Sequence, residues 1–102
     1  MNQLRLTARI VEIGAQRFTP AGLPAIDLRL EHESLIEEAG QPRQVKAALK
    51  AVALGAVAER LGRQAAGFSG SFSGFLASAR NAKTAVFHIQ DFFQQDQFQG
   101  AS

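Results

Sequence analysis

Residues 67–76 read GFSGSFSGFL, and this stretch is the most informative about the fold. Read with a period of two, one face consists of Phe68, Gly70, Phe72, Gly74 and Leu76. The other face consists of Ser69, Ser71, Ser73 and Phe75. Three glycines would destabilise an amphipathic helix, and a flexible linker would not carry three phenylalanines. A coiled strand accepts both because glycine permits bulges and close approach of another backbone. The pattern therefore predicts a strand of a small barrel, with Phe68 and Phe72 in its core.

Three further segments outside this stretch also alternate. Residues 3–13, QLRLTARIVEI, and residues 25–33, AIDLRLEHE, each place aliphatic side chains on one face and charged ones on the other. The connector between them, residues 14–24, contains the turn residues Pro20 and Gly22. These two strands are therefore expected to form an antiparallel pair. Residues 85–93, AVFHIQDFF, are predicted to be the last strand.

Two segments leave alternatives open. Ser34 and Glu37 form a capping-box pattern that favours one helical turn over residues 34–40, whereas a plain hairpin loop fits equally well. Residues 43–64 are rich in alanine, which favours a helix throughout. Their second half has helical spacing, at positions Leu54, Val57, Ala58 and Leu61. Their first half alternates only weakly, which is limited support for a strand.

The order of these elements is strand, strand, possible strand, helix, strand, strand. It predicts an all-β chain, a five-stranded OB-fold barrel with a short helix between strands 3 and 4. With 102 residues, one domain is expected, spanning residues 1–93. Residues 94–102 are predicted to form a polar, flexible tail. The absence of cysteine and of any long apolar run favours a cytoplasmic protein.

Charge is distributed unevenly, although the net charge is only +2. Residues 41–83 hold seven of the basic residues and one acid, Glu59, whereas the rest of the chain holds four basic residues and eight acids. Such clustering is typical of proteins that bind a polyanion, and a solvated surface patch is the alternative.

The residues favour no enzymatic chemistry. His32 and His88 have no cysteine or paired ligand spacing beside them, so neither a metal nor another cofactor is expected. Glu31 and Glu33 alternate with His32, and neighbouring strand residues point to opposite faces. The carboxylates show no acid/base pairing, and the serines lie in no nucleophile motif. We therefore expect a non-catalytic protein, in which each histidine is structural or lies at a subunit contact.

Several short runs resemble the PriB family, the primosomal replication protein N of bacteria. They are TPAGLPAIDLRLEHES at 19–34, EEAG at 37–40, and ARNAK at 79–83 before AVFHIQDF at 85–92. The resemblance extends over residues 3–93. It implies an OB-fold, a homodimer, binding of single-stranded DNA, and a role in replication restart that bridges the primosomal helicase PriA to later primosome proteins. It also implies that Arg43 to about Val52 form the third strand, followed by the helix.

With this fold in mind, eight residues are candidates for nucleic-acid binding. They are Arg17, Phe18, Arg43, Lys46, Lys50, Phe75, Arg80 and Lys83. The basic residues of the third strand lie at alternating or nearby positions of one strand face and would track phosphates, unless they are merely solvated. Phe75 shares a face with serines and is expected to be exposed, whereas Phe18 could either stack on a base or pin the first loop to the barrel.

The chain departs from the family pattern in one respect. It has no Trp and no Tyr, and Lys46 stands where some relatives carry an aromatic residue on which bases stack. This departure favours an alternative function, a protein-interaction module that docks a helicase with little affinity for DNA. The positive middle segment favours DNA binding.

Overall fold

The structure, a computed structural model, describes residues 1–78 and 83–95. Its elements are β1 (Leu4–Ile13), β2 (Arg17–Phe18), β3 (Pro24–Glu38), β4 (Gln41–Leu54), α1 (Ala56–Leu61), β5 (Ser69–Ser78) and β6 (Ala85–Gln94). The all-β prediction, with one short helix before the last two strands, is confirmed. The connector after β1 additionally contains the two-residue strand β2, which pairs with the start of β3.

The strands close into a barrel. Hydrogen-bonded neighbours follow the order β1-β5-β6-β4-β3, and β3 pairs with β1 to complete the ring. The β4–β6 pair is parallel, whereas the other barrel pairs are antiparallel. This is the predicted five-stranded OB-fold topology, and β2 extends the sheet outside it.

Alternation along the strands builds the core. The largest fully buried side chains are Phe72, Phe87, Ile10, Ile26, Leu30 and Leu61. Phe68 is half-buried and packs against this core. Its ring lies edge-on to those of Phe72 and Phe92, with centroids 6.3 and 5.8 Å away. The prediction that Phe68 and Phe72 belong to the core is confirmed.

Gly70 and Gly74 allow the fifth and sixth strands to approach closely. A Cβ on Gly74 would overlap the carbonyl oxygen of His88, and one on Gly70 would lie 2.5 Å from the carbonyl oxygen of Phe93. Both obstacles are backbone, which cannot turn aside as a flexible side chain would. The register of β5 and β6 also shifts between Ser73 and Gly74, so β6 contains a bulge there. Gly70 and Gly74 of the opening stretch are therefore required by barrel closure.

β3 and β4 form a hairpin that is longer than the barrel. They pair over 14 consecutive positions, from Ala25 with Leu54 to Glu38 with Gln41. The turn residues Ala39 and Gly40 both have positive φ, 54° and 78°, as a two-residue hairpin turn of type I′ requires. Residues 34–40 are therefore strand and turn, and the hairpin alternative is the correct one.

The far half of this hairpin projects from the barrel. We call residues 33–46 the ribbon. Pairing of β1 with β3 ends at Arg9 and Glu31, and β4 pairs with β6 only at residues 51–53, so within the described chain the ribbon has no third strand. No residue of the ribbon is fully buried.

The alanine-rich segment forms most of β4 and then helix α1. The strand continues to Leu54, because Ala51 and Ala53 are buried opposite Leu28 and Ile26 in the barrel. Small residues fit this position, and tertiary packing overrides their helical propensity. The prediction of a third strand followed by a helix is confirmed, although Leu54 lies in the strand rather than on the helix face.

α1 is short but well anchored to the barrel. Val57, Ala58 and Leu61 are its buried residues. The guanidinium of Arg60 lies 4.5 Å from the centroid of the Phe92 ring and donates hydrogen bonds to the Asp91 carboxylate and the Phe92 carbonyl. These bonds join the helix to β6.

Two predictions about chain organisation stay predictions. The domain boundary at residue 93 is one of them. The other is the tail of residues 94–102, of which Gln94 ends β6 and residues 96–102 lie outside the described residues. Among the described residues, none of the helical structure is long and apolar enough to span a bilayer.

Candidate nucleic-acid interface

The barrel presents an aromatic pair on its outer surface. His88 of β6 alternates with the buried Phe87 and Ile89, so its side chain points outward. Phe75 of β5 is its direct cross-strand partner, and their rings stack with centroids 4.9 Å apart and planes 12° from parallel. We call these two residues the Phe75–His88 platform. Both are half-buried, so part of the aromatic surface is open to solvent.

β4 places a basic residue beside this platform. Val52 is the register partner of His88, and Lys50 lies two residues earlier on the same outward face. Lys50 is paired in register with Arg29 of β3, so two cationic side chains are neighbours. Lys50, Arg29 and Val86 line an open concavity of about 380 Å³. The acids Glu12 and Asp27 line the same concavity. The strands thus bring two cationic side chains and an aromatic platform onto one face, which we call the outer face.

Lys50 differs from the other basic side chains of β3 and β4 in the absence of an acidic partner. Arg29 lies 3.8 Å from the carboxylate of Glu12. Lys50 forms no ion pair with any residue of the described chain. Its ammonium group is therefore available to a phosphate without breaking an existing contact.

Lys83 lies close to this face along the chain. It is exposed and precedes the first residue of β6, Ala85, by two positions. Val86, one residue further, lines the same concavity as Lys50. Arg80, the other candidate of this loop, lies outside the described residues.

Arg17 reaches the outer face through an ion pair. Its guanidinium donates two hydrogen bonds to the Asp27 carboxylate, at 2.8 and 3.1 Å. The hydrogen bond raises the pKa of Arg17 and holds the pKa of Asp27 below its ordinary value. Asp27 is the register partner of Val52, so this pair borders the Phe75–His88 platform. Arg17 would have to exchange a carboxylate for a phosphate in order to bind nucleic acid.

Phe18 is exposed and does not pin the first loop to the barrel. It pairs through its backbone with Pro24, and 66% of the residue is accessible. As the neighbour of Arg17 in an extended pair, it points to the opposite side of the strand. The structure therefore separates Phe18 from the outer face.

The structure corrects the prediction that the basic residues of β4 share one strand face. Arg43 lies at an odd position of β4 and Lys46 and Lys50 at even ones, so Arg43 points to the opposite face. Lys46 does share the outward face with Lys50, but its ammonium is 3.9 Å from the Glu33 carboxylate. Arg43 lies 3.0 Å from Glu38. The three residues thus do not form one basic row, and two of them are neutralised by acids of β3.

Two residues of the outer face were not among the candidates from sequence. His88 was expected to be structural or at a subunit contact, and Arg29 was seen only as an outward charge. Their alternation with buried residues was readable from the sequence. Their cross-strand partners, Phe75 and Lys50, depend on register, which the sequence does not reveal.

The chemistry of the outer face suits a single-stranded polyanion. Flat rings can stack on unpaired bases, and unpaired cations can attract phosphates. No cluster of His, Cys, Asp and Glu that could hold a metal ion occurs within residues 1–78 and 83–95. The stacked rings and the free ammonium of Lys50 make the outer face a candidate binding site for such a strand.

Comparison with known proteins agrees with this fold. Residues 2–91 match the family described as another single-strand binding protein family. The wild-type single-stranded DNA-binding protein from Thermus aquaticus has the same fold, with a TM-score of 0.75 over 98% of this chain and 52% of that chain, at 23% identity. The family match defines the class of protein, and the structural match shows that the fold is shared.

Relatives of higher sequence identity indicate the group within this class to which the chain belongs. The replication restart protein PriB of Bordetella pertussis is 50% identical over 91 residues, which cover 88% of this chain and 85% of the relative. The structure of PriB from Ralstonia solanacearum superposes with a TM-score of 0.86 at 35% identity and covers 94% of this chain and 99% of that one. The chain therefore belongs to the single-strand binding family and, within it, to the replication restart proteins PriB.

Proposed function

We propose that this protein is a non-catalytic, cytoplasmic accessory factor of primosome assembly that binds single-stranded DNA on its outer face during replication restart. The observation that carries the proposal is the convergence of Lys50 with the Phe75–His88 platform on one barrel face. Stacking would hold bases, and Lys50 and Lys83 would attract the backbone, beside Arg29, which Glu12 already engages. The names of the relatives support the biological setting.

Binding is tested by fluorescence anisotropy with labelled dT oligomers at two salt concentrations. The expected result is binding that weakens as salt rises, because each neutralised phosphate releases counterions. No binding at low salt would remove the DNA proposal. An affinity that does not change with salt concentration would contradict the assigned role of the lysines and arginines.

The second candidate function, a protein-interaction module with little affinity for DNA, is favoured by one observation. Arg43, Lys46 and Arg17 are each engaged by a carboxylate, which lowers the number of cations available to phosphate. Under this function, the protein would bind the PriA helicase equally well with and without DNA. A titration of labelled protein with purified PriA, in the presence and absence of dT, separates the two candidates.

We further propose a homodimer that uses the free edge of β1. Toward its N-terminal end, β1 pairs with β5 on one side only, because pairing with β3 begins at Arg9. On the other side, a hydrogen bond of 2.6 Å between the His32 Nδ1 and the Thr7 carbonyl oxygen covers the edge at Thr7, so the open edge is the part of β1 before Thr7. An uncovered strand edge is a ready template for pairing with a second chain.

The oligomeric state is tested by sedimentation at micromolar protein concentration. A dimer is expected for the natural protein. The Ile10 N–H bonds to the Phe68 carbonyl on the β5 side, whereas the Thr7 carbonyl points to the other side, so in the same register the Arg5 N–H points to the free edge. Replacing Arg5 by proline removes this N–H and would disrupt an edge pairing, so the expected product is a monomer that retains its circular dichroism spectrum. A natural protein that sediments as a clean monomer contradicts the proposal.

A further inference from the structure

A second exposed aromatic ring lies further along β6. Phe93 is 63% exposed, although its strand is paired with β5 at this position. The bulge explains its orientation. Beyond Ile89 the extra residue Gln90 shifts the alternation, so that Phe92 is buried and Phe93 points outward. Without the bulge, Phe93 would face the core.

The surroundings of Phe93 leave its ring accessible. Its cross-strand partner is Ser71, whose neighbour on β1 is Thr7. These side chains are too short to cover an aromatic ring. The same strand pair that supports the Phe75–His88 platform therefore carries a second open ring on the same outer surface.

The distance between the two aromatic sites suits a nucleic-acid strand. The β5 partners of His88 and Phe93 are Phe75 and Ser71, which are four residues apart, or about 13 Å at the usual rise of about 3.3 Å per residue. A single strand spans this distance in about two to four nucleotides, if its rise lies between the duplex value of about 3.4 Å and roughly twice that. Bases could thus stack at both sites of one continuous strand.

The charged side chains along this path are compatible with a bound phosphate backbone. Asp91 lies between the two aromatic sites, but its carboxylate is held by Arg60 at 2.8 Å and by the Phe92 N–H at 2.8 Å. Arg5 of β1 faces the same way, since its register partner Ser73 is also the partner of Asp91. Arg5 forms no ion pair with any other described residue. The path therefore has one available cation and a neutralised acid.

We propose that Phe93 is a second base-stacking site and that bound single-stranded DNA runs along β6 from the Phe75–His88 platform to Phe93, with Arg5 at its side. This inference rests on the proposed function and extends it, because it assigns a path and a minimum length to the bound strand. A strand too short to reach Phe93 would contact only the first platform and its lysines.

The test compares dT oligomers of about 2 and about 15 nucleotides, bound to the natural protein and to Phe93→Ser; the short one cannot span the two sites, and the long one lies within the range of about 4 to 16 nucleotides that single OB-folds occupy. The substitution is expected to weaken binding of the long oligomer between about 5-fold and about 100-fold and to leave the short one unchanged. Leu35→Ser is the matched control, because Leu35 is exposed and lies on the ribbon. Equal affinity of Phe93→Ser and the natural protein for the long oligomer overturns the proposal.

A fluorescent residue at position 93 provides a second measurement. The chain contains no tryptophan, so Phe93→Trp introduces a single fluorophore at the proposed site. Stacking of a base predicts that the long oligomer quenches its fluorescence and that the short one does not. Unchanged fluorescence at saturation with the long oligomer would overturn the stacking assignment.

Two further outcomes show whether the proposed function fails or only the proposed path of the DNA is wrong. If the natural protein binds neither oligomer, the proposed function itself fails. If Phe93→Ser changes the sedimenting mass of the protein, the ring belongs to a contact between chains, and the DNA path is wrong even where DNA binding is retained.

Discussion

The two halves of the β3–β4 hairpin have one continuous register and very different environments. In the half inside the barrel, Leu28, Leu30, Ala51 and Ala53 are buried. In the ribbon, Leu35 is 74% exposed and Ile36 is 50% exposed. The strands are paired equally in both halves, so backbone pairing is not the source of the difference.

The difference comes from the neighbours of the hairpin. Inside the barrel, β1, β6 and α1 cover its inner face. The ribbon has none of these partners among the described residues, and a lone two-stranded hairpin buries little apolar area. Its cations are instead matched by acids across the pair. We conclude that the barrel half carries most of the buried apolar core, and it also carries the face proposed to bind DNA.

The largest expected effect concerns barrel closure. Gly74→Ala should destabilise the fold by about 4 kcal/mol or more, because its Cβ would meet the backbone of His88, which cannot move without breaking the β5–β6 pairing. Urea unfolding followed by circular dichroism measures the change. Ser71→Ala, an outward position of the same strand, is the control and should shift stability by less than about 0.5 kcal/mol. Similar effects of both substitutions would mean that the close approach is not required.

The next effect compares the two halves directly. Leu30→Ala removes a fully buried side chain and should cost about 3 kcal/mol, whereas Ile36→Ala in the ribbon should cost less than about 0.5 kcal/mol. The two changes remove comparable aliphatic groups from the same strand, so their difference in urea midpoint isolates the contribution of the barrel. A large loss from Ile36→Ala would show that the ribbon is covered by another chain.

The same comparison applies to DNA binding. Lys50→Ala should weaken binding of dT several-fold and reduce the slope of log K against log salt by about 0.7, the value for one phosphate contact on a single strand. Lys46→Ala should have a smaller effect, since its ammonium already has the partner Glu33. The double substitution should therefore resemble Lys50→Ala alone. An equal or larger effect of Lys46→Ala would place the DNA on the ribbon.

The smallest effect depends on pH. The hydrogen bonds from Arg60 and from the Phe92 N–H hold the pKa of Asp91 below its ordinary value. A carboxyl group with a lowered pKa in the folded state stabilises the protein above its unfolded pKa, about 3.9, and loses this contribution as pH falls through the folded pKa. The difference in melting temperature between the natural protein and Asp91→Asn should be greatest near neutral pH and vanish in acid. A difference that grows in acid would contradict the sign of this assignment.

Much of the barrel was predictable from local pattern. Alternation identified β1, β5 and β6, and the mixture of glycine and phenylalanine indicated a strand that another backbone approaches closely. β4 was not predictable from pattern, since alanine favours a helix when nothing covers it. It is a strand because the neighbouring strands supply hydrogen bonds and a space that only small side chains fill.

The candidate site was predictable by residue type more than by arrangement. Lys50 and Phe75 lie on one face and Lys83 is near it along the chain, whereas Phe18 and Arg43 point elsewhere. The acids that engage Arg17, Arg43 and Lys46 are 10, 5 and 13 positions away in the chain, and only the register brings each of them within reach.

Side-chain periodicity and composition were sufficient to specify which segments are extended and which side chains face the core, because these properties depend on neighbours along the chain. The partners of those side chains depend on neighbours in space. The stacking of Phe75 on His88, the neutralisation of the ribbon and the outward turn of Phe93 follow from strand register and from one bulge. Register is set when the barrel closes as a whole, and for that reason no single segment encodes it.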